Sequence, residues 1–134
     1  MHKNFIKTAA ILAAVAVMLG AFGSHGLRNI LDEKELATFD TAVRYQFYHS
    51  FALLFTGILF QEFGNKYLTW AGRIFITGII IFSGSLYLLS WMRAINNEGF
   101  NWLGAITPLG GICFVIGWIL MLVAVSRKVQ SSNL

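Results

Sequence analysis

Charge is what this chain has least of. Asp, Glu, Lys and Arg make up 12% of its 134 residues, against roughly 25% in an ordinary soluble domain. Hydrophobic residues make up 57%. A globule of one domain's length cannot hide that much apolar surface in its own core, so a soluble fold is excluded and lipid is the expected solvent. Acids are scarcer than bases, giving a net charge of +4, yet no run of Lys and Arg resembles a nucleic-acid footprint. No nucleic-acid partner is expected.

Cysteine and proline each occur once. A lone cysteine, Cys113, forms no internal disulfide and no CxxC pair, and in its apolar stretch it reads as a packed thiol. The chain also lacks a phosphate loop and an HExxH pair. Serines with His25 and His49 make no catalytic triad without an acid to orient the imidazole. No cofactor, metal or enzymatic reaction is therefore assigned.

Four apolar segments carry the fold, running from about Phe5 to Gly23, Tyr45 to Phe63, Gly72 to Trp91 and Trp102 to Val125. A helix needs about 20 residues to cross the hydrocarbon, and the backbone in lipid must bond to itself. The expectation is all-α: residues 1–134 form one four-span transmembrane domain. Met1 to Lys7 with the following apolar run, closed by Ala21-Phe22-Gly23, also has the form of a signal peptide. The three later spans place the chain in the membrane either way, and the first segment is expected to remain as a helix. The second segment is the least apolar, since its strongly apolar run covers only Phe51 to Phe60; a buried or re-entrant helix is its alternative reading.

Between the first two spans, Leu36, Phe39, Ala42, Val43 and Phe47 recur at helical spacing. They predict a short amphipathic helix, capped by Asp32 or Asn29, which lies on the external interface or caps the bundle mouth and is free to run on into span two. Asn65-Lys66 marks a tight turn. Small residues predict close helix contact at Ala10, Ala14, Val17 and Ala21 in span one, at Gly78 and Ser85 in span three, and at Gly104, Gly110, Gly111 and Gly117 in span four. Pro108 predicts a kink in span four, where Thr107 has a hydroxyl to offer a freed carbonyl. Trp70, Trp91 and Trp102 mark span ends.

With four spans, Lys3, Lys7, Lys66, Arg73, Arg127 and Lys128 share the side of both termini, against Arg28, Lys34, Arg44 and Arg93 opposite. The excess of positive charge puts both termini in the cytoplasm. On the opposite side, the polar residues His25, Tyr45, His49, Ser85 and Tyr87 are expected to form an outward-facing pocket, and no ionisable residue is expected at the membrane centre. The two histidines offer a proton or metal event; the competing reading is a hydrogen-bond network that fixes the bundle mouth.

Four ordered motifs carry a family resemblance. Gly20-Ala21-Phe22-Gly23-Ser24-His25-Gly26-Leu27 ends span one, and Tyr45-Gln46-Phe47-Tyr48-His49-Ser50-Phe51-Ala52-Leu53 opens span two. Ser83-Gly84-Ser85-Leu86-Tyr87 lies in span three, and Ile106-Thr107-Pro108-Leu109-Gly110-Gly111 with Gly117-Trp118 in span four. Together they resemble the DUF423 family, also called the UPF0382 membrane proteins, over essentially the whole chain. That family usually carries Ala where Ser24 stands and His where Tyr48 stands, so one imidazole of an adjacent pair is missing here. The resemblance implies a four-helix protein of the bacterial inner membrane, or a mitochondrial relative, and implies no activity. Its motif residues carry over as a suspected site without roles.

Three functional classes follow. A structural or accessory component of a membrane complex suits short loops and the lack of a catalytic domain. A small oligomeric transporter or channel predicts a polar path below the outer pocket. An enzyme or lipid-binding protein predicts an enclosed pocket beside His25 and His49. Lipid is the one partner common to all three.

Overall fold

A computed structural model of the chain describes residues 1–127; Lys128, counted above with the charges near the termini, lies outside the described residues. The described chain is all-α. Helix α1 spans Lys3–His25, α2 Glu33–Phe63, α3 Lys66–Gly78, α4 Gly84–Ala94 and α5 Leu103–Ser126. A π-helical turn, Ile79–Ser83, joins α3 to α4, so these three pieces form one rod, Lys66–Ala94. The bundle thus has four rods.

Three rods, α1, Lys66–Ala94 and α5, are long and apolar enough to cross a membrane. Helix α2 is long enough but carries more polar residues. Its path explains why. The amide of His2 donates to the Gly57 carbonyl at one end of α1, and Phe39 closes on Gly23 at the other. Helix α2 therefore runs antiparallel along the whole length of α1. It also touches α3, α4 and α5, which makes it the central rod. Its Gln46, His49, Ser50 and Thr56 are buried against protein rather than lipid, and a central helix can carry polar groups that a lipid-facing one cannot.

The amphipathic segment expected before span two is the first part of α2, continuous with the second span. The rod has 31 residues, about 46 Å at 1.5 Å per residue. Asp32 caps it: its carboxylate accepts from the Glu35 amide at 2.8 Å, and Glu35 reaches back to the Asp32 amide at 3.1 Å. This reciprocal pair satisfies two orphan donors of the first turn. Leu27 and Leu31, in the connection from α1, tuck under the same end against Phe39.

Asn65 organises the opposite end. Its carbonyl oxygen accepts from the amides of Tyr67 and Leu68 to start α3, and its side-chain amide donates to the Ala124 carbonyl near the end of α5. Arg127 lies over the Tyr67 ring, 4.5 Å from its centroid. Met1 and Arg127 therefore share one end of the bundle.

Packing between α3 and α5 is reciprocal. Phe75 of α3 fills the space over Gly117, and Phe114 of α5 fills the space over Gly78. A methyl group at either glycine would meet the ring at 2.6 Å. The same three-residue offset, Phe to Gly, occurs on both antiparallel helices, so each ring enters the notch beside the other. Phe5 of α1 enters a third notch at Gly72.

Two expectations about packing change. Ala10, Ala14, Val17 and Ala21 are all exposed; the buried stripe of α1 is Phe5, Ala9, Ala16 and Gly23. Small residues surround α1 on several faces, so size alone does not select the contact stripe. Of the span-four glycines, Gly110 and Gly117 are buried, whereas Gly104 is exposed and Gly111 half-buried. Pro108 does not interrupt α5, which continues as one helix from Leu103 to Ser126. The Thr107 hydroxyl bonds the Leu103 carbonyl, not that of Gly104, whose amide partner Pro108 removes. A separate irregular turn lies at Ile79–Ser83, where the Gly84 amide reaches back five residues to Ile79.

Candidate functional site

The five residues expected to form one outer pocket are divided among separate contacts, and depth explains the division. Because α2 begins at Glu33, residue 49 stands 16 positions from its start and 14 from its end. His49 thus lies in the middle of the rod, not near an outer start. The adjacent Gln46 confirms the depth, since its side-chain amide donates to the Leu12 carbonyl of α1 at 2.9 Å. Leu12 precedes His25 by 13 residues, about 20 Å of helix. An ionisable side chain therefore does stand at mid-bundle, and the two histidines do not form a pair. His25 is exposed at the last turn of α1, where its Nδ1 approaches the Ala21 carbonyl at 3.1 Å.

Aromatic rings enclose His49. The imidazole lies on Phe114, with ring centroids 3.5 Å apart and planes 9° from parallel. Phe75 and Trp118 flank it at 5.9 and 6.2 Å. Tyr45, one turn earlier, stacks on Phe82 at 4.5 Å and presents its face to His49 at 6.0 Å. The cluster thus draws rings from α2, α3, the π-turn and α5.

Hydrogen bonding fixes the proton of His49. Trp118 has only a donor to offer, and its Nε1–H points at His49 Nε2 at 3.3 Å. Nε2 must then be the acceptor, and the ring proton sits on Nδ1, which donates to the Tyr45 carbonyl at 2.8 Å. Both nitrogens are satisfied only by this neutral tautomer. In sequence Trp118 stood out within the Gly117-Trp118 motif, and its partner was not legible.

The neighbouring face of α2, one turn before His49, carries a polar chain. The Tyr87 hydroxyl of α4 donates to Gln46 Oε1 at 2.9 Å while Gln46 donates onward to Leu12. This links α4, α2 and α1 through one amide. Tyr87 also tilts over Phe39, centroids 5.0 Å apart. Gln46 was quoted only as part of a motif in sequence; its burial by three rods identifies it as the hub.

Serines tie the third rod to α2 and α5. Ser83 donates to the Ala42 carbonyl at 2.8 Å, and Ser90, seven residues later, reaches the Glu35 carbonyl, seven residues earlier, at 3.3 Å. The matching offsets record an antiparallel pair of helices. The Ser85 and Thr107 hydroxyls share a hydrogen bond at 2.8 Å, and whichever of the two accepts in it gives its own proton to backbone, Ser85 to the Phe82 carbonyl or Thr107 to that of Leu103. The π-turn makes these contacts compatible by rotating the chain after Gly78, and it brings the Phe82 backbone against Gly110 with no room for a side chain there.

Among the described residues, every buried side-chain nitrogen and oxygen has a hydrogen-bond partner. The groups that would line a polar path (Gln46, His49, Ser50, Thr56) are each bonded to backbone or to one another's neighbours. Among the same residues no three of His, Cys, Asp or Glu gather as a metal's ligand set.

Outside the membrane-spanning core, Asp32 and Glu35 share a proton-sensitive cap. Hydrogen bonds from the Glu35 side chain and amide hold the Asp32 carboxyl below its usual range. The same side-chain bond, with some desolvation, pushes Glu35 above its own.

Comparison with known proteins gives one consistent result. The family described as "Protein of unknown function (DUF423)" matches residues 19–111. The UPF0382 membrane protein YwdK of Bacillus subtilis is 44% identical over 123 residues, 91% of this chain and 95% of that one. A UPF0382 membrane protein of Staphylococcus epidermidis is 40% identical over 122 residues, covering 91% and 94%. Another, from Haemophilus influenzae, is 37% identical over 119 residues, covering 89% and 90%. No solved structure matches.

Proposed function

The chain belongs to the DUF423 family of UPF0382 membrane proteins, and from that premise we propose that it serves as a structural or accessory component of a larger membrane complex. The observation that carries this reading is that, among the described residues, every buried polar side-chain group is used internally. A transporter needs polar side chains free to exchange partners with a passing solute. Here Gln46 and His49 spend their hydrogen bonds on the fold, and rings of Phe75, Phe114 and Trp118 fill the space around the imidazole. Meanwhile α5 presents Leu109, Ile112, Val115, Ile119 and Leu122 outward, an apolar face open to lipid or to another membrane helix.

The protein sits in the bacterial inner membrane with both termini cytoplasmic. The end that carries Met1 and Arg127 also carries Lys3, Lys7 and Lys66, whereas Asp32, Glu33, Glu35 and Asp40 stand at the other, in accord with the positive-inside bias. Thiol labelling of single cysteines placed at residues 2 and 97, in a Cys113→Ser chain, tests the orientation; labelling of position 2 from outside overturns it.

Gentle extraction from the native membrane followed by native mass spectrometry tests the function. A foreign membrane protein in fixed proportion is the expected result. A homogeneous homo-oligomer that conducts ions in reconstituted vesicles overturns the accessory reading in favour of the channel.

A further inference from the structure

We propose that the groove between α1 and the first half of α2 holds one phospholipid of the surrounding leaflet, with a zwitterionic ethanolamine headgroup. This inference stands on the groove alone and is independent of whether the chain has a protein partner.

Two cavities lie along this seam and meet at Gly20 and Val43, which line both. The upper, of about 340 Å³, opens at the bundle mouth beside Arg28, Glu33 and Asp40. The lower, of about 230 Å³, continues between the helices over Ala16, Val17, Phe47 and Tyr48, with Arg44, paired to Asp40, also in its lining; the surface it presents is mostly apolar. From Gly23 down to Ala16 the seam descends seven residues, about 10 Å. A polar head above an apolar slot of that depth, opening sideways toward the lipid-facing residues Val17 and Tyr48, has the layout of a phospholipid: headgroup at the interface, acyl chain below.

Small side chains make the slot. Gly20 lines both cavities without a side chain, and a methyl added there would stand 3.3 Å from Val43 Cγ1, so a larger residue at that position fills the slot.

The charges at the mouth choose the headgroup. Among the described residues the one ion pair is Arg44 with Asp40, at 2.9 Å. That leaves Arg28 and Glu33 at the same opening, one of each sign, with no ionic partner among those residues. An anionic headgroup satisfies Arg28 but is repelled by Glu33, since Asp40 is already paired with Arg44. A zwitterion satisfies both, its phosphate on the Arg28 guanidinium and its ammonium on the Glu33 carboxylate. A primary ammonium donates hydrogen bonds to a carboxylate, which a quaternary choline cannot do, so ethanolamine fits better than choline.

The test reconstitutes the full chain in vesicles holding phosphatidylethanolamine, phosphatidylglycerol and phosphatidylcholine in equal amounts, then releases it for native mass spectrometry. One retained lipid per chain is expected, with ethanolamine favoured by about tenfold, or about 1.4 kcal/mol. Arg28→Ala, an exposed change that leaves the helices intact, is expected to abolish that preference. Gly20→Phe is expected to expel the lipid, with circular dichroism checking that the helices persist; Ala21→Trp, which narrows the slot from an exposed position, is the second variant if Gly20→Phe does not fold. Equal retention of the three lipids, a preference for phosphatidylglycerol, no retained lipid, or a dimer occupying the groove instead would each overturn the proposal.

Discussion

The imidazole of His49 lies flat on the ring of Phe114, centroids 3.5 Å apart, at the mid-length of the central helix. That contact joins α2 to α5 at the point where Trp118 also donates to the same imidazole. A histidine so held is a hydrogen-bonded aromatic of the core, and its behaviour as a core residue can be measured.

The neutral tautomer with its proton on Nδ1 is the one these two hydrogen bonds specify. Nitrogen NMR of histidine-labelled protein in nanodiscs should place the unprotonated resonance of His49 at Nε2; a proton found there would refute the Trp118 bond. Trp118→Phe removes the donor while keeping an aromatic ring, and should cost about 1 kcal/mol, in line with single hydrogen bonds inside membrane proteins. His49→Ala removes the stacked ring as well and should cost more, about 3 kcal/mol, because it opens a cavity against Phe114. Thermal unfolding in one detergent compares the two.

Gln46 and Tyr87 give a second measurement. Tyr87→Phe leaves Gln46 Oε1 without its donor in a buried position, and Gln46→Leu leaves the Tyr87 hydroxyl without its acceptor. Each single change should destabilise, and the double variant should lose less than the two together, with a coupling energy of about 1 kcal/mol. Strict additivity in that cycle would mean that the hydroxyl and the amide do not depend on each other.

The glycines separate into those that accept a side chain and those that do not. Gly84 begins α4 with nothing within 4 Å of an added methyl. Gly84→Ala should stabilise by about 0.5–1 kcal/mol through helix propensity alone. At Gly117 the same methyl meets the Phe75 ring at 2.6 Å, and overpacking of that kind costs about 1–3 kcal/mol. Opposite signs of the change in unfolding temperature check the assignment; equal effects would mean that the Phe75–Gly117 notch does not govern packing.

Much of this fold is written in apolar runs of bilayer length. Segments one, three and four read directly, because their lipid-facing surfaces are apolar all round. The second did not read as far as it extends, since Gln46, His49 and Ser50 are buried against other helices and a hydropathy pattern records polarity without recording what covers it. The depth of His49 was misjudged for the same reason: starting the span at Tyr45 instead of Glu33 placed the middle of a helix at its edge. Gly78, Ser85, Gly110 and Gly117 were legible as contact points. Their partners Phe75, Phe82 and Phe114 were not, because a phenylalanine facing lipid and one entering a glycine notch look alike in sequence. The π-turn left no proline to announce it.

The cap of α2 supplies a prediction in pH. Asp32, bonded to the side chain and amide of Glu35, has its carboxyl below the usual 3.8, and that same bond lifts Glu35 above 4.5. A lowered folded-state value favours the charged form, so the Asp32 contribution is present above its usual value and is lost as pH falls through the lowered one. A raised value favours the protonated form, so the Glu35 contribution is present below its usual value and is lost as pH rises through the raised one. Both act together only where Asp32 is ionised and Glu35 still holds its proton, between the two values. The first turn of α2 should therefore be most protected in that mildly acidic window and fray on either side of it. Amide hydrogen exchange at Lys34, Glu35 and Leu36, corrected for the intrinsic pH dependence of exchange, reads the fraying. Glu35→Gln keeps a side chain able to bond the Asp32 backbone but has no proton to lose. It should erase the loss on the alkaline side and leave the loss on the acid side, whereas Asp32→Asn should do the reverse. If both limbs survive Glu35→Gln, the two carboxyls do not share the cap.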